Sequence, residues 1–211
     1  MKKALILHGL SKNREFVAEK ELPVTAWNWL GWLQQKFNLA GVNCQNVLFP
    51  NSWSPDKNYE DDAEAFSSFR IDENTRVIAW SAGTTFILKW LSLHPDVRGL
   101  HLVLVSPYSN TEPVGDIIGD FFGVPSNQNG VMAGYSNGEF PDNLTDRFKR
   151  VDIVYSENDP IVSIPKFARI LAEKFPKANI HMFENKGHFT RAELGTTEFP
   201  ELWEICKSET A

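Results

Sequence analysis

The 211-residue chain is long enough for a substantial core, and its acidic residues outnumber its basic ones, 27 against 21, for a net charge of −6. That balance argues against a nucleic-acid partner, which calls for a basic face. Two cysteines, Cys44 and Cys206, are too few for a disulfide framework, and no stretch approaches the roughly 20 apolar residues of a membrane span.

The opening MKKALILHG starts like a signal peptide, but its apolar run stops at His8-Gly9, so a cytoplasmic protein is expected. In this reading the Asn143-Leu144-Thr145 sequon is a chance match. Residues 4–7 form a short buried-strand signal ending at His8-Gly9-Leu10. An amphipathic helix is expected over 25–39, with Trp29, Leu30, Leu33 and Phe37 on its apolar side and Gly41 as its stop. A second strand over 44–49 is closed by Pro50, and a helix follows over about 59–69. The third strand, 76–80, runs directly into a helix over 83–93 whose stripe is Phe86, Ile87, Trp90 and Leu91. His94-Pro95 ends that helix.

Residues 100–105 read as a parallel strand covered on both faces. From about 107 to 146 periodicity is lost among Gly, Pro, Asn and Ser, the mark of a lid or of an insertion that merely packs on the surface. A strand over 151–155, a helix over 165–175, a strand over 180–183 and a closing helix over 198–206 complete the chain. No repeat or linker interrupts it, so one domain spanning 1–211 is expected. Apolar strands alternating with helices imply an α/β fold, a mainly parallel central sheet flanked by helices on both faces.

Ligand chemistry in such sheets gathers at the carboxyl ends of the strands. There the third strand stops at Ser81, with Ala79 and Gly83 two places either side, and a helix begins at once. Strand, sharp turn and helix with a serine at the apex is the layout of a nucleophile elbow, which needs small side chains where strand reverses into helix. Ala79 departs from the usual glycine by one methyl group.

A serine hydroxyl needs a base, and the base needs a carboxylate to set its tautomer. Four histidines follow Ser81. His94 caps its own helix, and His101 and His181 lie within strands and are expected to face neighbouring elements. His188, in Asn185-Lys186-Gly187-His188-Phe189, occupies a loop past a strand and can reach across the sheet. The acid belongs on the preceding loop, Ser156-Glu157-Asn158-Asp159-Pro160. Asp159 is the preferred carboxylate there and Glu157 the competitor. Serine, acid, histidine is the chain order of a hydrolase triad. The oxyanion donors expected are the amide of Ala82, at a helix start, and the amide of Leu10 after Gly9, with Ser11 the alternative. His8 precedes the elbow and is read as orienting that loop.

These segments, Leu7-His8-Gly9, Trp80-Ser81-Ala82-Gly83, Ser156 through Val162 and Gly187-His188-Phe189, resemble the small α/β-hydrolases of the retinoblastoma-binding-protein-9 and YdeN type. The resemblance spans nearly the whole chain and implies an α/β-hydrolase fold with a Ser81–Asp159–His188 triad and serine hydrolase activity. The 108–143 stretch is longer than the family norm, so family substrate preference is not carried over. An ester or thioester hydrolase acting on a small-molecule acyl substrate is the leading expectation. Trp80, Tyr108, Phe121 and Phe122 are the candidates for its apolar pocket, although core packing accounts for such aromatics almost as well. The alternative is a hydrolase-fold protein that mainly binds a protein partner, with vestigial activity. No metal or cofactor is expected: there is no H-E-x-x-H pattern, no phosphate-binding lysine loop and no dinucleotide fingerprint after the first strand.

Overall fold

The computed structural model describes residues 2–10, 28–50, 52, 57–108 and 144–207. The elements in chain order are β1 (Lys3–Leu7), α1 (Trp29–Leu39), β2 (Asn43–Val47), α2 (Tyr59–Phe66), β3 (Thr75–Trp80), α3 (Ala82–Leu93) and β4 (His101–Val105). They continue as α4 (Leu144–Arg147), β5 (Arg150–Ser156), α5 (Ser163–Lys174), β6 (Asn179–Phe183), α6 (Arg191–Leu194) and α7 (Pro200–Lys207). The six strands form one wholly parallel sheet in the order β2-β1-β3-β4-β5-β6. The chain steps outward from β1 to β2, then crosses back to place β3 on the other side of β1. That reversal opens a crevice beyond the carboxyl ends of β1 and β3, where ligands settle in sheets of this kind.

Strand alternation sorts the apolar residues into two cores. Leu5, Leu7, Val77, Ala79, Leu102, Leu104 and Ile153 face α2, α3 and α5, while Ala4, Ile6, Ile78, Trp80, Val103, Val105 and Val154 face α1 and α7. Central strands buried on both faces are what continuous apolar runs encode. β6 forms an edge, and its alternate residues Ile180 and Met182 are about half exposed.

Local chemistry moves several boundaries. Asn28 caps α1, its side chain accepting from the Trp29 amide, and Gly41 ends the helix with φ 76°. The portion of this helix expected over 25–27 lies outside the described residues. α2 stops at Phe66 rather than Phe69, because the Ser67 and Ser68 hydroxyls donate back to the Glu64 and Ala65 carbonyls. Phe69 still packs on Phe66. Of the expected 107–146 excursion, residues 109–143 lie outside the described residues, Phe121 and Phe122 among them. Its two ends are anchored. Tyr108 is buried, and the last three residues begin α4. Arg147 at the end of α4 donates to the carbonyls of Leu91, His94 and Val97, closing the C-terminus of α3.

Candidate active site

The β3–α3 turn holds Ser81 at φ 54°, ψ −125°, a left-handed conformation that a non-glycine residue adopts only under local constraint. The constraints are visible. The Ser81 amide donates to the Val105 carbonyl, and the Ser81 carbonyl accepts from the amide and hydroxyl of Thr84. Gly83 lies so near the end of β1 that a Cβ there would sit 2.8 Å from the His8 carbonyl oxygen and 2.9 Å from that of Leu7. Gly9 is equally confined, since its Cβ would stand 2.7 Å from that of Ser81. The glycine after the serine is therefore required by close approach of backbone. Ala79, by contrast, is a fully buried core residue whose methyl is accommodated.

Ser81 donates its hydroxyl proton to His188 Nε2 at 3.0 Å, and His188 Nδ1 donates to Asp159 Oδ2 at 2.9 Å. A carboxylate accepts only, so the proton resides on Nδ1 and Nε2 is left basic toward the serine. Asp159 is itself oriented: Oδ2 also accepts from Ser106 Oγ at 3.0 Å, and Oδ1 accepts from the Ile161 amide at 2.9 Å. Its side chain is buried, and that of His188 retains only 12% exposure. Glu157, the competing carboxylate, points away and receives Arg169 of α5 at 2.6 Å.

Two positive-φ residues, Gly187 (53°) and Phe189 (57°), flank His188 and project it over the sheet. Phe189 holds that geometry by burial, stacked on Phe199 at 4.9 Å. Glu193 Oε2 accepts from the His188 amide, the Thr190 amide and the Thr190 hydroxyl. Asn158 Oδ1 accepts from the Gly187 amide, and Ser156 Oγ from that of Lys186. From below, Trp80 donates Nε1–H to the His188 carbonyl at 3.1 Å, with its ring 5.4 Å from the imidazole. Trp80 is only 6% exposed and edges against Trp29, so its indole supports the histidine loop, whereas an acyl-lining position was expected. Tyr108 is tied by its backbone to Thr84 and Thr85 at the start of α3 and belongs to the core there.

The loop after β1 is organised by His8. Its Nε2 accepts from the Phe49 amide at 3.0 Å, which leaves the proton on Nδ1 to donate to the Gly9 carbonyl at 2.7 Å. Burial, with a smaller contribution from the charge of Lys57, pulls the His8 pKa down to about 4, so the ring is neutral near pH 7. Leu10 follows, its side chain packed on the core beside α3. His94 bonds the Trp90 carbonyl at the end of its helix. His101 and His181 meet on the buried carboxylate of Asp152 and take no part in the contacts of Ser81. Among the described residues no group of three or more His, Cys, Asp or Glu is placed to hold a metal ion.

A family model described as serine hydrolase matches residues 26–208. The chain belongs to the serine hydrolase family. This serine hydrolase is 25% identical over 187 residues to YdeN of Bacillus subtilis (strain 168), covering 86% of this chain and 87% of that one. The crystal structure of the B. subtilis ydeN product superposes with a TM-score of 0.73 at 22% identity, over 98% of this chain and 97% of the other. Est1E from Butyrivibrio proteoclasticus, solved with ferulic acid bound, gives a TM-score of 0.68 at 14% identity, over 98% and 87%. The fold of this serine hydrolase is thus that of the α/β-hydrolases.

Four supporting residues escaped the sequence reading: Ser106, Ser156, Asn158 and Glu193. Glu193 was legible, because Thr190-Arg191-Ala192-Glu193 is a capping-box pattern and the structure forms that box. Ser106 had no local signal. Its role exists only because β4 and β5 are neighbours.

Proposed function

We propose that this protein hydrolyses a small ester or thioester through an acyl-serine intermediate. The observation that carries the reading is the hydrogen-bonded line from Ser81 through His188 to Asp159, assembled from the carboxyl ends of β3, β5 and β6. Ser81 Oγ attacks the acyl carbonyl while His188 Nε2 takes its proton, and Asp159 stabilises the imidazolium. The oxyanion is received by the amide of Ala82, at the positive end of α3, and by that of Leu10. His188 returns the proton to the departing alcohol or thiol. Water, deprotonated by His188, then attacks the acyl carbon, and Ser81 leaves with the proton as the carboxylic acid is released.

Ferulic acid, an aromatic acid, is bound to a protein of this fold, which makes a feruloyl ester a sensible companion to p-nitrophenyl acetate in the assay. A fluorophosphonate probe should label the wild-type protein and fail on Ser81→Ala. Absence of wild-type labelling, under conditions where a known serine hydrolase reacts, sinks the proposal.

A further inference from the structure

At the amino end of the sheet a cavity of about 420 Å³ is lined by Phe37 and Ala40 of the α1 end, Val42, Arg76 of β3, Trp203 and Lys207 of α7, and Lys2. Its composition is unusual for this chain. The protein carries an excess of acidic residues, yet among the described residues three cations and no carboxylate line this space. Two aromatic rings form the apolar part, Phe37 and Trp203 meeting edge to face at 5.3 Å. The Lys207 ammonium is already paired with Glu204 along its helix.

Arg76 is the anomaly. Among the described residues its guanidinium has no hydrogen bond or ion pair, and it lies 6.0 Å from the centre of the Phe37 ring. Its side chain shares the sheet face of Ile78 and Trp80. The buried carboxylate on that face, Asp152, is already saturated. Its Oδ1 accepts from His181 and Arg150 Nη2, and its Oδ2 from His101 and Arg150 Nε. Burial lowers the Arg76 pKa from its ordinary value, opposed by the neighbouring Cys206 and aided by the like charge of Arg150. A partly desolvated cation facing a cavity with apolar walls is half of a recognition site, since guanidinium bonds carboxylates in a planar fork.

We propose that this cavity binds an organic monocarboxylate with an apolar body, its carboxylate on Arg76 and its body against Phe37, Val42 and Trp203. The site is separate from Ser81. Arg76 and Ser81 stand at opposite ends of β3, five residues or about 16 Å apart.

Calorimetric titration of octanoate into Ser81→Ala protein tests this. One saturable site is expected, with octanol, which lacks the charge, and inorganic phosphate, which lacks the body, both binding about tenfold more weakly or worse. Arg76→Met should weaken octanoate by about tenfold or more while leaving fluorophosphonate labelling of an otherwise wild-type Ser81 intact. Ala40→Glu, at an exposed position in the wall, should also block binding and keeps the test valid if Arg76→Met does not fold. Unchanged octanoate affinity in either folded variant overturns the proposal. So does phosphate binding as tightly as octanoate, or octanoate binding that disappears from wild-type protein once Ser81 is blocked. Octanoate binding survives even if Ser81 never labels, so the two proposals fail separately.

Discussion

Ser81 and His188 serve one proton path in this geometry, so on the proposed mechanism their losses should not add. Ser81→Ala and His188→Ala are each expected to lower kcat for p-nitrophenyl acetate by at least ~10³, and the double variant by little more. His181→Ala should leave turnover close to wild type, because that ring is spent on Asp152; a larger loss there than in His188→Ala removes the assignment. His8 makes a separate prediction. It stays neutral in the fold, with a pKa of about 4 against an ordinary 6.5, so the unfolded chain binds the extra proton between those values. Its contribution is therefore complete above pH 6.5 and declines as pH falls, by about 2 kcal/mol from pH 7 to pH 5. Urea midpoints at the two pH values should differ less in His8→Gln than in the wild type. An equal acid loss in the variant means that His8 is not the group responsible.

The turn after β3 positions Ser81 and the loop after β6 positions His188, and each has an identifiable weak point. At Gly83 a side chain meets two backbone oxygens of β1, so Gly83→Val must push the His8-Gly9 loop away from Ser81. A stability loss of at least about 2 kcal/mol is expected, together with loss of labelling at Ser81. Unaltered labelling in Gly83→Val shows that the close approach does not shape the site. In the β6–α6 loop, one exposed Glu193 oxygen gathers three donors and so aims His188 through its backbone. Glu193→Ala is expected to reduce kcat about tenfold with KM nearly unchanged, and Glu193→Gln, which keeps an acceptor, to recover part of it. A wild-type kcat in Glu193→Ala removes Glu193 from the support of His188.

Across the molecule, two separate hydrogen-bonded clusters draw on different residues of the sheet. The carboxyl ends bring together Ser81, Asp159 and His188, whereas Asp152, within β5, is held between His101 of β4, His181 of β6 and Arg150 of its own strand. Although burial opposes ionisation, the hydrogen bonds from these three partners hold the Asp152 carboxyl far below the usual carboxylate range. A carboxylate depressed in this way stabilises the fold above its unfolded pKa near 4, and that contribution is lost as pH falls further. Asp152→Ala strands Arg150 and both rings, with an expected cost of about 3–5 kcal/mol by urea unfolding at pH 7. At a temperature where the variant is folded, Ser81 should still label. If labelling is lost while the fold persists, the two clusters are coupled.

Much of this was legible in one dimension. Apolar runs of strand length between helical stripes dictate a parallel sheet covered on both faces, since only that arrangement buries them. The order Ser81, Asp159, His188, each just past a strand, picks out the three groups that the structure hydrogen-bonds together, because side chains at strand ends all open onto one edge. Local patterns do not state which strands are neighbours. The sheet order alone puts Ser106, just past β4, against Asp159 after β5, and Trp80 of β3 beneath His188 after β6. It also sets Glu157 aside, because the turn aims Glu157 at Arg169 and Asp159 at the histidine. Distances of 29 and 107 residues along the chain become hydrogen bonds only when the sheet closes them, and the histidine tautomer follows from those bonds. The requirement for glycine at position 83 is tertiary as well: it comes from the backbone of β1, while position 79, which faces the core, accepts alanine.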